Sequence, residues 1–574
     1  MYRGMVTIQI GGLTNGETVI LERYLDSNWS GALETPYDLR TLRLRITDGQ
    51  VATIGGATNL NVPGDLNPIG GAITARLNCY SPLLDPLLGP AQWWVLSSPS
   101  GRFLPVVLPD SVSAEPFSQR LDGYVRCSGT NVPGAVVVAL NPLADMTFTA
   151  ACLATWTGYF ALPLPPGTYV LVAAKPGFVT DMAYMPTVTL PPGVILTNTL
   201  DLLPATRTLS GKLVDAADTN ATLPAISMMA NSLTDRFAPA WTDTNGNFTV
   251  AVTADAWQLE PAAEDIARHG FLFGDSEAQR VFLTTTGNVS GIVLKARRAN
   301  ALIYGRASNQ TNGPLAGLRF HINGMVQGEE FDPDYAADDN GDFAVAIIGG
   351  SDNWWNFMAD PVLNPGMSNQ VLSGFLFNVS LLSGEARRQD VRALFATNRI
   401  AGTVRDVSGA AVPAVGVIGW ASLGGTTYYG SGFMTDFNGN YAMNVAGSPW
   451  MLQIYCGDLL RAGYNCAPAK TVVLPPTNPV VNFTVFPLGR PGLSDARRLS
   501  PSDFAFELHG EPFTWYEIQY STDLTNWNFL TTIQPQWDGP VYVNTTVTDP
   551  SAQTGRRFYR AVLSPMLQMR TLGR

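Results

Sequence analysis

The stretch Thr242-Asp-Thr-Asn-Gly-Asn-Phe248 decides the fold class, because it recurs along the chain. The other copies read Ala337-Asp-Asp-Asn-Gly-Asp-Phe343, Thr435-Asp-Phe-Asn-Gly-Asn-Tyr441 and, more weakly, Ala154-Thr-Trp-Thr-Gly-Tyr-Phe160. The turn glycines of successive copies are 88, 95 and 98 residues apart. Self-similarity at a nearly fixed period is the sequence signature of tandem structural repeats.

Two further landmarks keep the same period as the turn. An aromatic residue follows each turn, at Tyr169, Trp257, Trp354 and Trp450. A glycine opens each copy, at Gly123, Gly211, Gly305 and Gly402. Three markers that shift together predict four tandem domains of about 90 residues each.

Local chemistry indicates that each copy is built of β-strands. Asn-Gly between apolar runs is a strong hairpin signal, because a type I′ turn needs positive φ at both central residues. After the turn, Phe248-Thr-Val-Ala-Val252 and Tyr441-Ala-Met-Asn-Val445 alternate as half-buried strands do. We therefore predict a type I′ hairpin in each copy and a β-sandwich of short strands.

One copy carries enough landmarks to resemble a known family. Residues 121–204 resemble the carboxypeptidase regulatory-like (transthyretin-like) β-sandwich, on the landmarks Gly123-Tyr-Val, Val132-Pro-Gly-Ala-Val, Gly158-Tyr, Pro166-Gly-Thr-Tyr169 and Gly177-Phe178. The fourth copy also fits this pattern, and the second and third fit mainly at the turn. The resemblance implies an extracellular accessory module rather than a catalyst.

The two ends of the chain lack the repeat. Residues 488–574 contain the alternating segments 515–527 and 557–562, and they resemble the fibronectin type III-like domain of secreted bacterial multidomain proteins. Residues 1–118 are also rich in strand patterns. We predict an all-β chain of tandem β-sandwich (Ig-like/transthyretin-like) modules in an extended arrangement, with domains at 1–118, 119–205, 206–298, 299–396, 397–487 and 488–574.

Composition narrows the partners and the location. The 574 residues carry a net charge of −11 and show no basic stripe, so we expect no nucleic-acid partner. No apolar run reaches the roughly 18 residues that a transmembrane helix needs. The first residues do not form a signal peptide. The chain is therefore either cytosolic or a mature or truncated form, and the repeats favour an extracellular or cell-surface protein.

The sequence offers no catalytic constellation. Histidine is the commonest general base near neutral pH, and the three histidines, His269, His321 and His509, fall in three different predicted domains. The chain has no Gly-x-Ser-x-Gly elbow, HExxH motif or phosphate-binding loop. We therefore predict that the protein is not an enzyme.

One loop resembles the first half of an EF-hand or dockerin-like calcium loop. Asp26, Asn28 and Ser30 supply oxygens at positions 1, 3 and 5, and Gly31 allows the sharp turn. Position 12 is not a carboxylate, because the acid comes one place later, at Asp38. Our hypothesis is that Asp26, Asn28, Ser30 and Asp38 hold a structural Ca²⁺; the alternative is a polar turn between strands.

The five cysteines allow two disulfides within modules. Cys456 and Cys466 lie in one repeat, Cys127 and Cys152 lie in another, and Cys79 is left over. An oxidising compartment permits both pairs to form disulfides. The alternative is that all five are small buried hydrophobic residues of a reduced protein. We predict the Cys456–Cys466 and Cys127–Cys152 disulfides.

Exposed tryptophans could bind sugars by stacking. Adjacent strand residues face opposite sides, so one member each of Trp93-Trp94 and Trp354-Trp355 is expected to be exposed. Because Trp354 occupies the repeated aromatic position, we assign it to the core. Trp94, Trp355 and Trp527 remain as candidate ligand-binding residues.

Three functions are compatible with these features. The first is a non-catalytic extracellular or cell-surface protein that serves as a structural spacer or adhesin. The second is a carbohydrate-binding accessory protein of a polysaccharide-processing system. An enzyme with its site in residues 1–118 is disfavoured, because that segment holds no histidine. The expected partner is an extracellular protein or a glycan.

Overall fold

The computed structural model is built almost entirely of β-strands. It describes residues 4–35, 37–79, 89–112, 117–141, 147–274, 279–282, 287–359, 364, 367, 369–474, 479–538, 541–552 and 556–564. The helices are short: α1 (Ala263–Ala267), α2 (Cys456–Arg461) and a 3₁₀ turn at Met182–Tyr184. The prediction of an all-β fold of tandem β-sandwich modules is confirmed.

The chain forms two compact units, and each is described by itself. The first comprises Met1–Ala359 and Asn378–Val391, and the second comprises Asp360–Phe377 and Arg392–Arg574. We keep the six predicted segments as names: the N-terminal domain (1–118), modules 1 to 4 (119–205, 206–298, 299–396 and 397–487) and the C-terminal domain (488–574). The first unit ends within module 3.

The N-terminal domain encloses an apolar core between small antiparallel sheets. Its strands are β1 (Met5–Gly11), β2 (Thr18–Leu25), β3 (Leu39–Thr47), β4 (Thr53–Ile54), β5 (Ala57–Thr58), β6 (Ala72–Asn78), β7 (Gly89–Ser97) and β8 (Val106–Val112). One sheet has the order β3-β2-β7-β8, and β1 pairs with β6. Alternating residues such as Val19, Leu21 and Ile73 fill the core.

Modules 1 and 2 are sandwiches of two sheets each. Module 1 contains β9 (Arg120–Cys127), β10 (Thr130–Asn131), β11 (Val136–Asn141), β12 (Thr147–Leu153), β13 (Tyr159–Pro163), β14 (Gly167–Ala174), β15 (Phe178–Asp181), β16 (Thr187–Leu190) and β17 (Ile195–Pro204). Module 2 contains β18 (Arg207–Asp215), β19 (Ser227–Ser232), β20 (Arg236–Trp241), β21 (Asn247–Val252), β22 (Ala256–Pro261), β23 (Phe271–Leu272), β24 (Gln279–Phe282) and β25 (Val289–Arg298). In module 1, the sheet β12-β11-β14-β16 packs on the sheet that holds β13, β9 and β17.

Modules 3 and 4 and the C-terminal domain continue the β architecture. Module 3 contains β26 (Ala301–Asn309), β27 (Arg319–Val326), β28 (Glu329–Phe331), β29 (Asp334–Ala336), β30 (Asp342–Ile347), β31 (Trp354–Met358), β32 (Gln370–Ser373), β33 (Leu376–Val379), β34 (Ala386–Arg388) and β35 (Val391–Phe395). Module 4 contains β36 (Asn398–Asp406), β37 (Gly416–Leu423), β38 (Thr426–Met434), β39 (Asn440–Val445), β40 (Trp450–Ile454), β41 (Lys470–Val472) and β42 (Phe483–Val485). The C-terminal domain contains β43 (Gly492–Arg498), β44 (Phe504–His509), β45 (Tyr516–Ser521), β46 (Asn528–Ile533), β47 (Gln536–Asp538), β48 (Val541–Val543), β49 (Thr546–Asp549) and β50 (Phe558–Leu563).

Each module places a late strand parallel to its first strand. These pairs are β9 with β17, β18 with β25, β26 with β34, and β36 with β42. The opening glycine of each copy lies at this contact. A Cβ on Gly123 would lie 1.6 Å from the Asn198 carbonyl oxygen, and one on Gly402 would lie 1.7 Å from that of Val481. The periodic glycine is therefore required by the close approach of two backbones.

The repeated Asn-Gly turn is a corner between two sheets, so the predicted type I′ hairpin is wrong. The flanking strands β20 and β21 belong to different sheets. Gly246 has a φ of 70°, whereas Asn245 does not have positive φ. The Asp243 carboxylate accepts hydrogen bonds from the amides of Asn245 and Asn247, at 2.7 and 2.9 Å. This side chain stabilises a three-residue turn with one left-handed glycine, which we call the corner turn.

The corner turn docks in the same way in all four modules. Its glycine carbonyl accepts a hydrogen bond from the first strand, from Val125, Leu213, Ala307 or Val404, at 2.7 to 2.9 Å. The carbonyl oxygen of the same first-strand residue accepts a hydrogen bond from the backbone amide of Val132, Leu223, Leu315 or Val412, respectively. This identical bonding pattern establishes the four copies as repeats of one structural unit.

Candidate functional site

Strand β15 is shared by modules 1 and 2. Thr180 pairs with Leu202 of β17 on one side and with Phe237 of β20 on the other. Adjacent strand residues point to opposite faces, and here the two faces meet different cores. Phe178 packs against the core of module 1, and Val179, with no exposed surface, lies in the core of module 2. The two modules therefore share hydrogen bonds and apolar packing.

The second unit contains a strand with the same role. Leu372 of β32 pairs with Ala393 of β35 and with Tyr429 of β38. Val371 is fully buried in the core of module 4, together with Trp450. A strand that precedes the module in sequence thus completes its core, as β15 does for module 2.

The N-terminal domain contacts three modules of the first unit. Leu25 forms an apolar cluster with Val136 and Leu153 of module 1. The Arg268 side chain of module 2 donates to the Asn78 carbonyl oxygen at 3.4 Å. Two side-chain amides donate to backbone carbonyl oxygens of module 3: Asn61 Nδ2 to Ala344 at 2.8 Å and Asn78 Nδ2 to Ala336 at 3.1 Å. Arg76 also forms an ion pair with Asp338 of module 3 at 3.8 Å. Domain contacts, rather than flexible linkers, therefore organise this unit.

The calcium candidates lie on one loop, where they bond to its backbone. Asp26 accepts the amides of Ser30 and Gly31, at 3.0 and 2.9 Å. Asp38 Oδ2 accepts the Glu34 amide at 2.6 Å, whereas its Oδ1 is buried and has no hydrogen-bond partner. Burial is the largest effect that raises the pKa of Asp38, and the nearby acids Asp26 and Glu34 raise it further.

Metal binding by this loop stays a prediction. Asn28 Oδ1 accepts the Ser30 amide at 3.1 Å, and the Ser30 hydroxyl donates to the Ala32 carbonyl oxygen at 2.9 Å. Across the residues that the structure describes, no group of three or more His, Cys, Asp or Glu side chains is arranged to hold a metal ion.

The prediction that Trp355 binds a ligand is wrong, because Trp355 is fully buried. Its Nε1 donates to the Ile348 carbonyl oxygen at 3.0 Å, as that of Trp257 donates to Thr253 and that of Trp450 to Ala446. Trp354, which we had assigned to the core, is 37% exposed. In this module the chain between β30 and β31 is longer, so the core tryptophan follows the turn aromatic by twelve residues rather than by nine as in modules 2 and 4.

Two other candidate tryptophans are held by neighbouring side chains. Trp94 is half-buried, packs against the N-terminal core and donates from Nε1 to Asp110 at 3.1 Å. The Arg23 guanidinium lies 5.7 Å from its ring centroid. The Trp527 ring lies 4.1 Å from the Arg560 guanidinium. A binding role for either tryptophan stays a prediction.

The cysteines divide into one disulfide and three free thiols. Cys456 and Cys466 are disulfide-bonded, with their Cα atoms 4.9 Å apart. Cys127 and Cys152 are free, so the predicted bond between them is not formed. Cys127 ends β9 and Cys152 lies on β12, in opposite sheets of module 1.

One histidine contacts a serine without forming a catalytic pair. His509 Nε2 lies 2.7 Å from Ser494 Oγ, and this hydroxyl donates to Asp495 at 2.9 Å. A serine hydroxyl has one proton, so His509 is the donor here and cannot act as its base. His509 Nδ1 is buried without a partner, and burial lowers the pKa of His509 to about 4. The acceptor that orients a catalytic histidine is not present at this ring.

Module 1 carries an exposed aromatic surface that was not predicted from the sequence. Trp156, at the tip of the corner turn, is 72% exposed. On the adjoining sheet, Tyr124 is 36% exposed and meets Tyr159 edge to face at 5.6 Å. Arg126 lies 5.7 Å from the Tyr124 ring, and Asn131 ties this edge to the turn through the Thr157 carbonyl oxygen at 2.8 Å. The sequence signal was a tryptophan in place of a polar turn residue.

Comparisons with known proteins give no family. No protein-family model and no curated protein matches the chain. Solved structures that it matches include the TIE protein of Bacillus anthracis, at 12% identity and a TM-score of 0.16, over 68% of this chain and 75% of that one. A streptococcal ancillary pilin matches at 10% identity and a TM-score of 0.16, over 50% of this chain and 99% of its own.

A third match is BcpA, the major pilin subunit of Bacillus cereus, at 10% identity and a TM-score of 0.12, over 64% of this chain and 99% of its own. TM-scores this low do not show a shared fold. In the described part of the chain, no helix is both long and apolar enough to span a bilayer.

Proposed function

We propose that this chain is a non-catalytic structural protein of the cell surface or extracellular space, a spacer or adhesin built from tandem β-sandwich modules. The observation that carries the proposal is the shared strand β15, which packs Phe178 against one core and Val179 into the next. Tension on one module is therefore transmitted to the hydrogen bonds and core of its neighbour.

Two features of the sequence support this location and role. The resemblance of residues 121–204 to carboxypeptidase regulatory-like modules favours an extracellular accessory protein. The Cys456–Cys466 disulfide is typical of an oxidising compartment. We propose that the partner is an extracellular protein or a glycan.

Stretching the full chain from its two ends in a single-molecule experiment tests the spacer function. We expect modules 1 and 2 to extend together, in one step of about 60 nm, because about 3.5 Å is released per residue. Antibody labelling of intact producing cells gives the location. Two separate steps of half that length, or a chain found only inside the cell, would contradict the proposal.

A second candidate function is carbohydrate binding, favoured by the exposed surface of Trp156, Tyr124 and Tyr159. Amphipathic rings with adjacent hydrogen-bonding groups suit a sugar, which has apolar faces and polar edges. Arg126 and Asn131 supply such groups beside the rings. We propose this surface, instead of the buried Trp355, as the candidate sugar-binding site.

Affinity electrophoresis in gels that contain single polysaccharides tests this second function. We expect Trp156→Ala to weaken retardation about tenfold, because the ring is the most exposed part of the surface. Phe437→Ala is the matched control, since Phe437 occupies the equivalent position of the module 4 corner turn and is 95% exposed. Equal retardation of the wild type and Trp156→Ala, or an equal loss in both variants, would reject this surface as a sugar site.

A further inference from the structure

The parallel first and last strands of each module lie where tension enters and leaves that module. In module 1 the chain enters at the start of β9 and leaves at the end of β17. These two strands run parallel, and they pair from Arg120 with Ile195 to Cys127 with Leu202. Module 4 has the same arrangement, with β36 opening the module and its parallel neighbour β42 closing it. A pull on the two ends of a module therefore draws the two strands past each other along their length.

This direction of pull makes the hydrogen bonds between the two strands resist together. When an antiparallel hairpin is pulled apart from its open end, the load falls on one hydrogen bond at a time. The bonds of a parallel pair are evenly spaced along both strands, so sliding one strand past the other loads all of them at once. Segments between the first and the last strand, such as the corner turn, lie outside this path of tension.

A side chain of the last strand adds a hydrogen bond beside the opening glycine of the module. In module 4, Asn482 Oδ1 accepts the Thr403 amide at 3.0 Å and the Thr403 hydroxyl at 3.1 Å. Thr403 directly follows the opening glycine, Gly402. Module 3 repeats the contact, because Asp390 Oδ1 accepts at 3.0 Å the amide of Arg306, which holds the same place after the glycine. The same side-chain contact thus joins the last strand to the first in two modules.

We propose that tension on each module is carried in shear by its first and last strands, and that Asn482 is part of this mechanical connection in module 4. The inference rests on the proposed spacer function and extends it, because it says which contacts set the force at which a module opens. Beside Asn482, Ala401 bonds to the backbone of Pro479 and Val481 at 3.1 and 2.8 Å. Forced opening follows the unfolding rate, so bonds outside the path of tension stabilise the module without setting that force.

Two asparagines of module 4 separate the path of tension from general stability. Asn482→Ala removes the acceptor that joins the last strand to the first. Asn440→Ala removes a bond of the same kind, from Asn440 Nδ2 to Asp436 Oδ2 at 3.0 Å, but that bond lies within the corner turn. Both asparagines are exposed, so neither substitution leaves a cavity in the core.

Stretching the full chain from its two ends at constant force measures the rate at which module 4 opens. The Cys456–Cys466 disulfide identifies this module, because a reducing agent should lengthen only its step. The gain is about 3 nm, since the bond spans a sequence separation of 10 residues and about 3.5 Å is released per residue. In the unreduced chain we expect Asn482→Ala to open module 4 about fivefold faster than the wild type, in line with one net hydrogen bond. We expect Asn440→Ala to open it at the wild-type rate.

Two further variants test the assigned contact itself. Asn482→Asp keeps the acceptor oxygen, as module 3 does, and should open module 4 at the wild-type rate. Thr403→Val removes only the hydroxyl bond to Asn482 and should also speed opening, which decides the matter if Asn482→Ala fails to fold.

Equal opening rates of Asn482→Ala and the wild type, or an equal acceleration by both alanine substitutions, would overturn the proposal. These rates do not depend on where the protein is located or on whether modules 1 and 2 extend in one step. A failure of the spacer function is therefore distinguishable from a failure of this inference.

Discussion

Substitution of the corner-turn glycine in module 4, compared with a second glycine of positive φ, separates two contributions to stability. One is the packing of the turn against the first strand, and the other is the strain of the left-handed backbone. A Cβ on Gly439 would lie 2.5 Å from the Val404 carbonyl oxygen and 3.2 Å from the Val412 nitrogen. Gly409, in the same module, has a similar positive φ of 88° but meets nothing within 4 Å. Gly439→Ala and Gly409→Ala therefore share the left-handed strain and differ in the contact with the first strand.

The expected magnitudes follow from this difference. A non-glycine residue in the left-handed region costs about 1–2 kcal/mol, and Gly409→Ala should cost no more than that. Gly439→Ala must also displace the first strand at Val404, which makes two backbone hydrogen bonds there. The Val404 carbonyl oxygen accepts from the Val412 amide at 3.1 Å, and the Val404 amide donates to the Gly439 carbonyl oxygen at 2.8 Å. Two backbone hydrogen bonds of about 1 kcal/mol each bring the total loss to about 3–4 kcal/mol.

Hydrogen exchange of the two variants measures this loss locally. We expect Gly439→Ala to speed exchange throughout β36 and β39, while Gly409→Ala changes only its own turn. Local readout is needed because a chain of several domains does not unfold in one two-state step. Equal acceleration of exchange by the two substitutions would refute the docking role of the corner turn.

Three further predictions concern charge, thiols and calcium. The Arg102 side chain and the Thr14 amide lower the pKa of Glu17 from an ordinary 4.5 to about 2, so the stability that Glu17 contributes is present above pH 4.5 and is lost as the pH falls towards 2. The melting temperature of Arg102→Gln should therefore approach that of the wild type as the pH falls through this window. A difference in melting temperature that stays constant would contradict this. Thiol titration of the denatured, unreduced chain should give three free thiols, and five would disprove the Cys456–Cys466 bond. If Asp26, Asn28, Ser30 and Asp38 hold Ca²⁺, EDTA should lower the melting temperature of the N-terminal domain, and Asp38→Asn should remove that dependence on EDTA. A melting transition that does not respond to EDTA would refute calcium binding by this loop.

The repeats and the β fold could be predicted because their causes are local. A glycine is required where two backbones approach closely and is favoured where φ is positive, so Gly123 and Gly246 mark the period directly. The destination of the next strand is not local. Asn245-Gly246 predicted a turn, but only tertiary packing decides that the chain crosses to the second sheet there.

The candidate site was harder to predict for the same reason. Phe178-Val-Thr-Asp181 resembles any short edge strand, and its second partner, Phe237, lies in the next repeat. Which member of Trp354-Trp355 is buried depends on the length of the preceding loop. The Trp156 surface arises only when strands that are distant in sequence are placed side by side.

The most direct test of the shared-strand architecture is hydrogen exchange of Val179→Ala beside Val137→Ala. Both valines are fully buried, but Val179 packs in the core of module 2 and Val137 in that of module 1. Removing two buried methyl groups costs about 2 kcal/mol at either position. We predict that Val179→Ala speeds exchange in β18 and β21 of module 2, and that Val137→Ala leaves these strands unchanged. Exchange in module 2 that is unaffected by Val179→Ala would contradict the sharing of β15 between modules.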